Sequence, residues 1–516
     1  MTENDSSENN GYYHLMDNIN SLFGRLYKYN LSLLNKSNNP ERGYSGEEVF
    51  DFFITSHGQS FLKSLYLGHV ESKGLMLNCR SIIEGLAVKE MLKSGEISNK
   101  QIELLKYQDG LVERKHYKKF TDIAPEAMFP EQMNENYSFC YDNFSKILKD
   151  DYGDKEIKNI AFSNIPFLCN PKTTFTQIVE KYLGSDLGKL YRVLSVVVHP
   201  NPNIEISKEF TAQAIVTTVK LLEKEYNHLN SFGYTVESHY LLTSTSRESD
   251  KYILAIRKIA TALETIQKNF CKNFENNYVS NTMHSISMIL QEIAVDRMFG
   301  FQEQVKCKIK PLIEVISSFY KNYIVEESVE DRYELLLEHT KLKIFSAIGI
   351  EYNFENAYMI YKKIYPAGVD LDNFRKMFFA PTGYSINEKG ESPSINSMVK
   401  DAARLIKDDS KALTFSDTLL IDYVESQMLS HANGYMWFSN SGAFTDTNNV
   451  IPETCFLLIR IFEYLNRFYN DVYKKTNEYK YRKTSNIFRD AAKEIYNACK
   501  TIFKLQKKPM VYLNNA

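Results

Sequence analysis

Residues 191–201 read YRVLSVVVHPN, and residues 423–433 read YVESQMLSHAN. Both stretches fit one pattern: a tyrosine, seven residues, a histidine, one residue and an asparagine. Each stretch is followed by another segment with the apolar spacing of an amphipathic helix. The repeat predicts a duplicated helical module that places His199 and His431 at the same point of each copy.

The composition favours a mostly helical protein with more than one domain. The chain has 516 residues, of which 43% are apolar and 13% aromatic, so it is long enough to form two large hydrophobic cores. It contains only 21 glycines and 13 prolines, which is below average usage. We predict an all-α protein of two tandem helical bundles, residues 1–240 and 241–516.

Apolar periodicity and chain breaks give the boundaries of the elements. Residues 366–396 contain three prolines and three glycines and predict a long loop or an inserted lobe. The polar first ten residues predict a frayed end. Gly68 and Gly74 are candidate breaks that would divide residues 59–94 into two helices. The predicted helical segments cover residues 13–35, 59–94, 100–120, 175–199, 207–229, 251–275, 280–299, 302–350, 397–431, 452–475 and 479–508.

Two local questions stay open at the level of sequence. The first question is how the two copies align upstream of the histidines. In one alignment residues 86–88 match residues 293–295, and in the other the first helix of the module matches residues 330–350. Residues 196–198 are three valines, and β-branched residues favour a strand. The surrounding segment has few turn signals, so we predict a helix there.

The charge and the cysteine content narrow the class of protein. A formal net charge of −2 gives no overall attraction to nucleic acid, so such a site has to come from basic runs such as residues 114–119 and 479–483. The seven scattered cysteines include no C-x-x-C pair, and no signal peptide is recognised, which predicts a cytoplasmic protein. No apolar stretch is long enough for a membrane span. Since no metal or nucleotide motif occurs, we expect no cofactor.

The first copy of the pattern contains residues suited to acid–base chemistry on a phosphate. In a helix, Tyr191, Ser195 and His199 lie one turn apart on one face, and Arg192 lies two turns before the histidine. A histidine can take the proton of a 2′-hydroxyl or protonate the leaving oxygen. The planar fork of an arginine suits the charged phosphorane. We predict metal-independent RNA cleavage, with His199 as the acid/base and Arg192 as the phosphate clamp.

Arg-x6-His, late in a helix of an all-helical domain, resembles the HEPN superfamily signature of an arginine, four to six residues and a histidine. The Tyr-x3-Ser-x3-His spacing that ends at His199 also resembles an uncharacterised HEPN-like bacterial family. That family carries an Arg-x3-Glu pair on an earlier helix, and Arg80 and Glu84 match the pair here. The resemblance covers about residues 60–235.

The resemblance implies an endoribonuclease of the bacterial stress response or of antiviral defence against phage. It also implies that Arg80 and Glu84 orient the arginine clamp or bind the substrate, together with Tyr191, Ser195 and Asn201. HEPN proteins commonly pair two motifs across a dimer interface. A tandem copy would build that pair within one chain, and a homo-oligomer stays open.

The second copy keeps Tyr423, His431 and Asn433 but has Val424 in place of the arginine. We interpret it as a degenerate site with a structural or binding role. The alternative to an enzyme is a non-catalytic helical sensor or adaptor of a defence or toxin–antitoxin system. Such a protein binds RNA, a nucleotide or a protein partner.

Overall fold

The computed structural model consists of helices joined by short connections. No β-strand occurs in the residues that it describes, so the predicted all-α class is confirmed. The predicted domain boundary near residue 240 lies outside those residues. They are 4–37, 43–69, 73–124, 131–198, 208–229, 251–273, 277–299, 301–324, 329–407, 413–431, 435–438 and 450–505.

The first half of the described chain contains nine α-helices. Short 3-10 helices follow the fourth of them, at Lys118–Phe120, and the sixth, at Pro166–Leu168. The α-helices are α1 (Asn4–Ser37), α2 (Gly46–Tyr66), α3 (Lys73–Lys93), α4 (Asn99–Tyr117), α5 (Glu131–Leu148), α6 (Asp154–Ala161), α7 (Phe175–Leu183), α8 (Ser185–Val198) and α9 (Lys208–Tyr226).

The second half of the described chain contains eleven α-helices. A 3-10 helix at Gly383–Ser385 follows the sixth of them. The α-helices are α10 (Lys251–Asn273), α11 (Asn277–Phe299), α12 (Gln302–Ile324), α13 (Val329–Ile348), α14 (Glu355–Ile364), α15 (Leu371–Phe378), α16 (Ile395–Lys407), α17 (Leu413–Leu429), α18 (Tyr435–Phe438), α19 (Val450–Thr476) and α20 (Tyr479–Leu505).

Several helix boundaries differ from the sequence prediction for identifiable reasons. The predicted helix 175–199 is two helices, because Gly184 adopts φ 96° and ψ 164°, a region essentially restricted to glycine. Residues 196–198 belong to α8, so helix rather than strand is the correct alternative. The chain does not fray through residue 10, because α1 already begins at Asn4.

The segment 366–396 is a folded lobe rather than a loop. It contains α15, whose Phe374 and Phe378 lie one turn apart and are both fully buried. These two rings pack with apolar residues of α13 and α14 in a small hydrophobic cluster of their own.

The two halves pack against each other through several pairs of helices. α3 contacts α11 and α12, and α12 in turn contacts α2. α4 of the first half lies on α17 of the second, and α13 of the second half lies on α8 of the first. One continuous core of buried apolar side chains includes residues of both halves. The helices that carry the candidate residues therefore lie at the junction of the halves.

A fully buried ion cluster ties this junction together. Lys308 of α12 pairs with Asp296 at 2.5 Å and with Glu292 at 3.2 Å, both on α11. The Ser60 hydroxyl of α2 donates to Asp296 at 2.8 Å and accepts from Lys308 at 3.2 Å. Asn78 of α3 donates to the same hydroxyl at 3.0 Å. These contacts fix α2 and α3 against α11 and α12.

Candidate functional site

Four residues from both halves meet in one buried group, which we call the central cluster: Arg80 and Glu84 of α3, Tyr191 of α8, and His431 just after α17. Arg80 Nη2 lies 3.3 Å from Glu84 Oε2 and 3.1 Å from His431 Nδ1. His431 Nδ1 lies 3.2 Å from Glu84 Oε1. The Tyr191 hydroxyl donates to Glu84 Oε2 at 2.6 Å. All four residues were predicted from the sequence, but His431 was assigned to a separate, degenerate second site, and the structure joins it to the three residues of the first copy.

Glu84 holds the central cluster together. Its side chain is fully buried, which alone would raise its pKa, but His431, Arg80 and Tyr191 lower the pKa to about 2 through charge and hydrogen bonds. Glu84 is therefore a carboxylate at neutral pH. A buried carboxylate is stable only when paired and hydrogen-bonded, so Glu84 in turn fixes the positions of its three neighbours.

His431 combines a fixed inner edge with a partly open ring. Burial lowers its pKa to about 4, although the charge of Glu84 opposes this shift, so the imidazole is neutral at pH 7. We assign its proton to Nδ1, because a hydrogen bond donated to a carboxylate is stronger than one accepted from Arg80. Nε2 then keeps its lone pair. The ring stacks on Phe175 of α7 at a centroid distance of 5.6 Å, and 29% of the side chain is exposed.

Arg80 has donors that its surroundings do not use. The residue is 3% exposed, and its guanidinium carbon lies 5.6 Å from the centre of the Tyr191 ring. Neither Nε nor Nη1 has a hydrogen-bond acceptor among the residues that the structure describes. Buried donors without an acceptor are costly, so an anion bound at this point would stabilise the arginine.

A second pair of charged residues corresponds to Arg80 and Glu84. Lys310 and Glu314 are also four residues apart and lie on α12, the third helix of the second half. The Tyr423 hydroxyl of α17 donates to Glu314 Oε1 at 3.1 Å, as Tyr191 does to Glu84. This pairing matches α3 with α12, a register that neither alternative from the sequence contains. The four-residue spacing of lysine and glutamate is the signal that would have identified this pair.

Pro311 interrupts α12 beside Lys310. Because proline has no N–H, the Cys307 carbonyl one turn earlier loses its usual partner. The Ser426 hydroxyl of α17 donates to this carbonyl at 3.2 Å and accepts from the Lys310 N–H at 2.7 Å. One serine thus satisfies both backbone groups at the break and holds α17 against Lys310.

Ser426→Ala should destabilise the protein by about 2–3 kcal/mol, because it leaves two buried backbone groups without partners. The free energy of unfolding from denaturant titration measures this loss. Ser430→Ala is the matched control, since the Ser430 hydroxyl donates to the Ser426 carbonyl of its own helix at 2.5 Å. We expect that control to cost less than about 1 kcal/mol. Equal losses in the two variants would show that Ser426 does not stabilise the break.

One of the two basic runs lies beside the central cluster. His116 Nδ1 is 2.7 Å from Gln427 Oε1 of α17, and Lys119 Nζ is 3.3 Å from His116 Nδ1. Burial lowers the pKa of Lys119 to about 8, with the charges of Lys115 and Lys310 adding to the effect. The run 114–119 therefore adds positive charge near His431, whereas the run 479–483 lies at the start of α20.

The structure places Arg192 and Ser195 in other contacts. Arg192 pairs with Glu180 of α7 at 3.0 Å, with 38% of its side chain exposed. The Ser195 hydroxyl donates to the Tyr191 carbonyl of its own helix at 2.9 Å. Consecutive helical residues point about 100° apart, so the residue after Tyr191 faces away from Glu84.

Three of the predicted site residues lie outside the described residues, so the structure does not test them. They are His199, Asn201 and Asn433.

Three further findings concern metal ligands, membrane-spanning helices and similarity to known proteins. In the described ranges, no three or more histidine, cysteine, aspartate or glutamate side chains are grouped as metal ligands would be. Within the same ranges, every helix is too short or too polar to cross a bilayer. In comparisons with protein-family models, curated proteins and solved structures, nothing matches this chain.

Proposed function

We propose that the protein is an endoribonuclease that cleaves RNA without a metal ion, with His431 as the base and Arg80 as the phosphate-binding group. The contact between His431 and Glu84 carries this proposal. A buried carboxylate holds Nδ1 of a neutral imidazole at 3.2 Å, and the ring is partly exposed. Such an imidazole is oriented to accept a proton. The HEPN resemblance supports a role in bacterial stress response or phage defence.

The chemistry follows from the donors and acceptors in the central cluster. Nε2 of His431 takes the proton of a 2′-hydroxyl, O2′ attacks the phosphorus, and the bond to O5′ breaks. The products are a 2′,3′-cyclic phosphate and a 5′-hydroxyl end. Arg80 donates its unused N–H groups to the charged phosphorane, and Glu84 stabilises the imidazolium that forms. The prediction of His199 as an acid/base fits protonation of the leaving O5′.

Substrate binding should make His431 a stronger base. In the free protein burial lowers its pKa to about 4, and the charge of Arg80 adds to this. A phosphate bound to Arg80 places negative charge beside the ring, which favours the imidazolium. The proton is then accepted at a pKa closer to neutrality, where general-base catalysis is most effective.

Cleavage of RNA in EDTA tests this proposal. We expect the purified protein to cut a labelled single-stranded RNA and to leave 2′,3′-cyclic phosphate ends, which mass spectrometry identifies. The same sequence with 2′-O-methyl groups should stay intact, because it lacks the attacking hydroxyl. If EDTA abolishes the activity, or if the methylated strand is cut as well, this mechanism is incorrect.

RNA or nucleotide binding without cleavage is the second candidate, as in a sensor or adaptor of a defence or toxin–antitoxin system. The burial of Arg80, which is 3% exposed, favours it, because an enclosed arginine can hold one phosphate of a ligand without room for in-line attack by a neighbouring 2′-hydroxyl. The same assay separates the two functions. Retarded migration of RNA that remains intact supports the binding module.

A further inference from the structure

We infer that Lys310 and Glu314 form the second half of the same site, so that a single oxyanion site lies between Arg80 and Lys310. The ligand would be the phosphate group of an RNA strand. This inference rests on the proposed function only for the identity of that ligand. The two charged pairs would then be the two copies of one motif, related by a local two-fold axis between the halves.

The first argument is the matched environment of the two pairs. Each pair has a cation four residues before a glutamate, on the third helix of its half. Each glutamate accepts a hydroxyl from a tyrosine of the repeated pattern, Tyr191 at 2.6 Å in one case and Tyr423 at 3.1 Å in the other. α3 and α12, which carry the pairs, are in contact. A shared axis explains all three observations together.

The second argument is that one short stretch of α17 reaches both pairs. Tyr423 binds Glu314, and Ser426 binds the backbone N–H of Lys310 at 2.7 Å. The carbonyl of Ser430 then accepts from the Ser81 hydroxyl of α3 at 3.3 Å, and His431 contacts Arg80. Residues 423–431 span only about 12 Å at the rise of a helix. This stretch therefore holds both pairs in one region, where the charges of Arg80 and Glu84 both act on Lys310.

The third argument is the charge at this point. Lys310 is 5% exposed. Burial lowers its pKa, Glu314 opposes this, and the positive charge of Arg80 lowers the pKa further. Among the described residues, Nε and Nη1 of Arg80 have no acceptor. Two buried cations that repel each other would both be stabilised by an oxyanion bound between them.

The two cations differ in what they contribute. The arginine fork can bind two oxygens of one phosphate, whereas the lysine acts as a point charge. Lys310 therefore supplies positive charge to the phosphate that Arg80 orients. This difference in roles agrees with the residues of the two pairs, since the first pair has an arginine, Arg80, where the second has Lys310.

Binding of a non-cleavable strand tests this inference directly. The probe is a 2′-O-methyl oligoribonucleotide, and the measurement is its Kd at several salt concentrations by fluorescence anisotropy. Lys310→Gln should weaken binding about tenfold or more and reduce the slope of log K against log salt by about 0.7, the value for one lost phosphate contact on a single strand. Lys310→Arg, which keeps the charge, should bind within about threefold of wild type. Lys100→Gln is the control, since Lys100 is a surface residue paired with Asp151, and it should not change the affinity.

Each result of the binding and cleavage measurements either supports the shared site or overturns it. Binding and cleavage by Lys310→Gln at the wild-type level would overturn the shared site while leaving the proposed function intact. Loss of probe binding in Lys310→Gln, together with no RNA cleavage by the wild type, would support the shared site and end the nuclease proposal. If Lys310→Gln does not fold, Lys310→Arg decides, because a tenfold loss in that variant also overturns the inference. No binding of the probe by the wild-type protein would overturn it as well.

Discussion

His431→Ala should reduce the rate of RNA cleavage by about 10²–10⁴-fold, the usual contribution of a positioned acid or base. The substitution removes the imidazole that contacts Glu84 and leaves Arg80 to bind the phosphate. The side chain is 29% exposed, so its loss opens no deep cavity and the fold should persist. Initial rates with labelled RNA in EDTA, together with the thermal unfolding midpoint, measure both effects.

The cleavage rate of Arg192→Ala is the measurement to compare with that of His431→Ala. Arg192 follows the HEPN-like spacing, but it pairs with Glu180 on the neighbouring helix rather than with Glu84. We expect this variant to retain most of the cleavage rate. A large loss in Arg192→Ala with little loss in His431→Ala would show that the first copy carries the chemistry, as the sequence predicts, and that the central cluster does not. His199→Ala in the same series tests the predicted acid.

The fold class could be predicted because helical periodicity is a local property of the sequence. Apolar spacing located most of the helices. The segment 59–94 divides near Gly68, one of its two candidate breaks, whereas the segment 175–199, predicted as one helix, divides at Gly184. For residues 366–396 the prolines and glycines left a loop and an inserted lobe both open. Phe374 and Phe378 bury their rings against α13 and α14, and such burial depends on contacts distant in sequence, so the local pattern could not decide between the two.

The site could be predicted only in part, for the same reason. Arg80, Glu84 and Tyr191 are recognisable by spacing, but the approach of His431 from the other half depends on how the halves pack. Lys310 was hidden in a run of three alternating lysines. Lys306 pairs with Glu425 and lies one turn from Lys310, while Lys308 points to the opposite side of α12 and enters the buried ion cluster. The three lysines look equivalent in the sequence and have different partners in the fold.

Lys308→Met should destabilise the protein by about 3–5 kcal/mol at pH 8, the usual cost of removing one partner of a buried ion pair. The methionine keeps most of the volume and removes the charge, so Glu292 and Asp296 stay buried with no cation between them. Denaturant titration measures the free energy of unfolding. Lys321→Met is the matched control. Its partner Asp401 lies at 3.0 Å in a half-exposed pair, and the loss should stay below about 1 kcal/mol.

The pH dependence of this loss identifies its cause. Even beside Lys308, burial raises the pKa of Glu292 from an ordinary value of 4.5 to about 7, and it also raises that of Asp296. Removing Lys308 raises both pKa values further. A carboxyl group with a raised folded-state pKa costs stability above that pKa, and the cost disappears as the pH falls below the unfolded value. The difference between Lys308→Met and wild type should therefore shrink between pH 8 and pH 5.5.

A difference that stays constant with pH would assign the loss to packing rather than to charge.

The buried ion cluster also bears on function, because Asn78, which binds the Ser60 hydroxyl of the cluster, lies on α3, the helix that carries Arg80. Once Lys308 is lost, α3 and α12 are held less firmly, and the distance between Arg80 and Lys310 is no longer fixed. Cleavage by Lys308→Met should then fall by more than its folded fraction explains, since a small displacement of a phosphate-binding group is costly in rate. Activity proportional to the folded fraction would show that the ion cluster stabilises the fold without positioning the site.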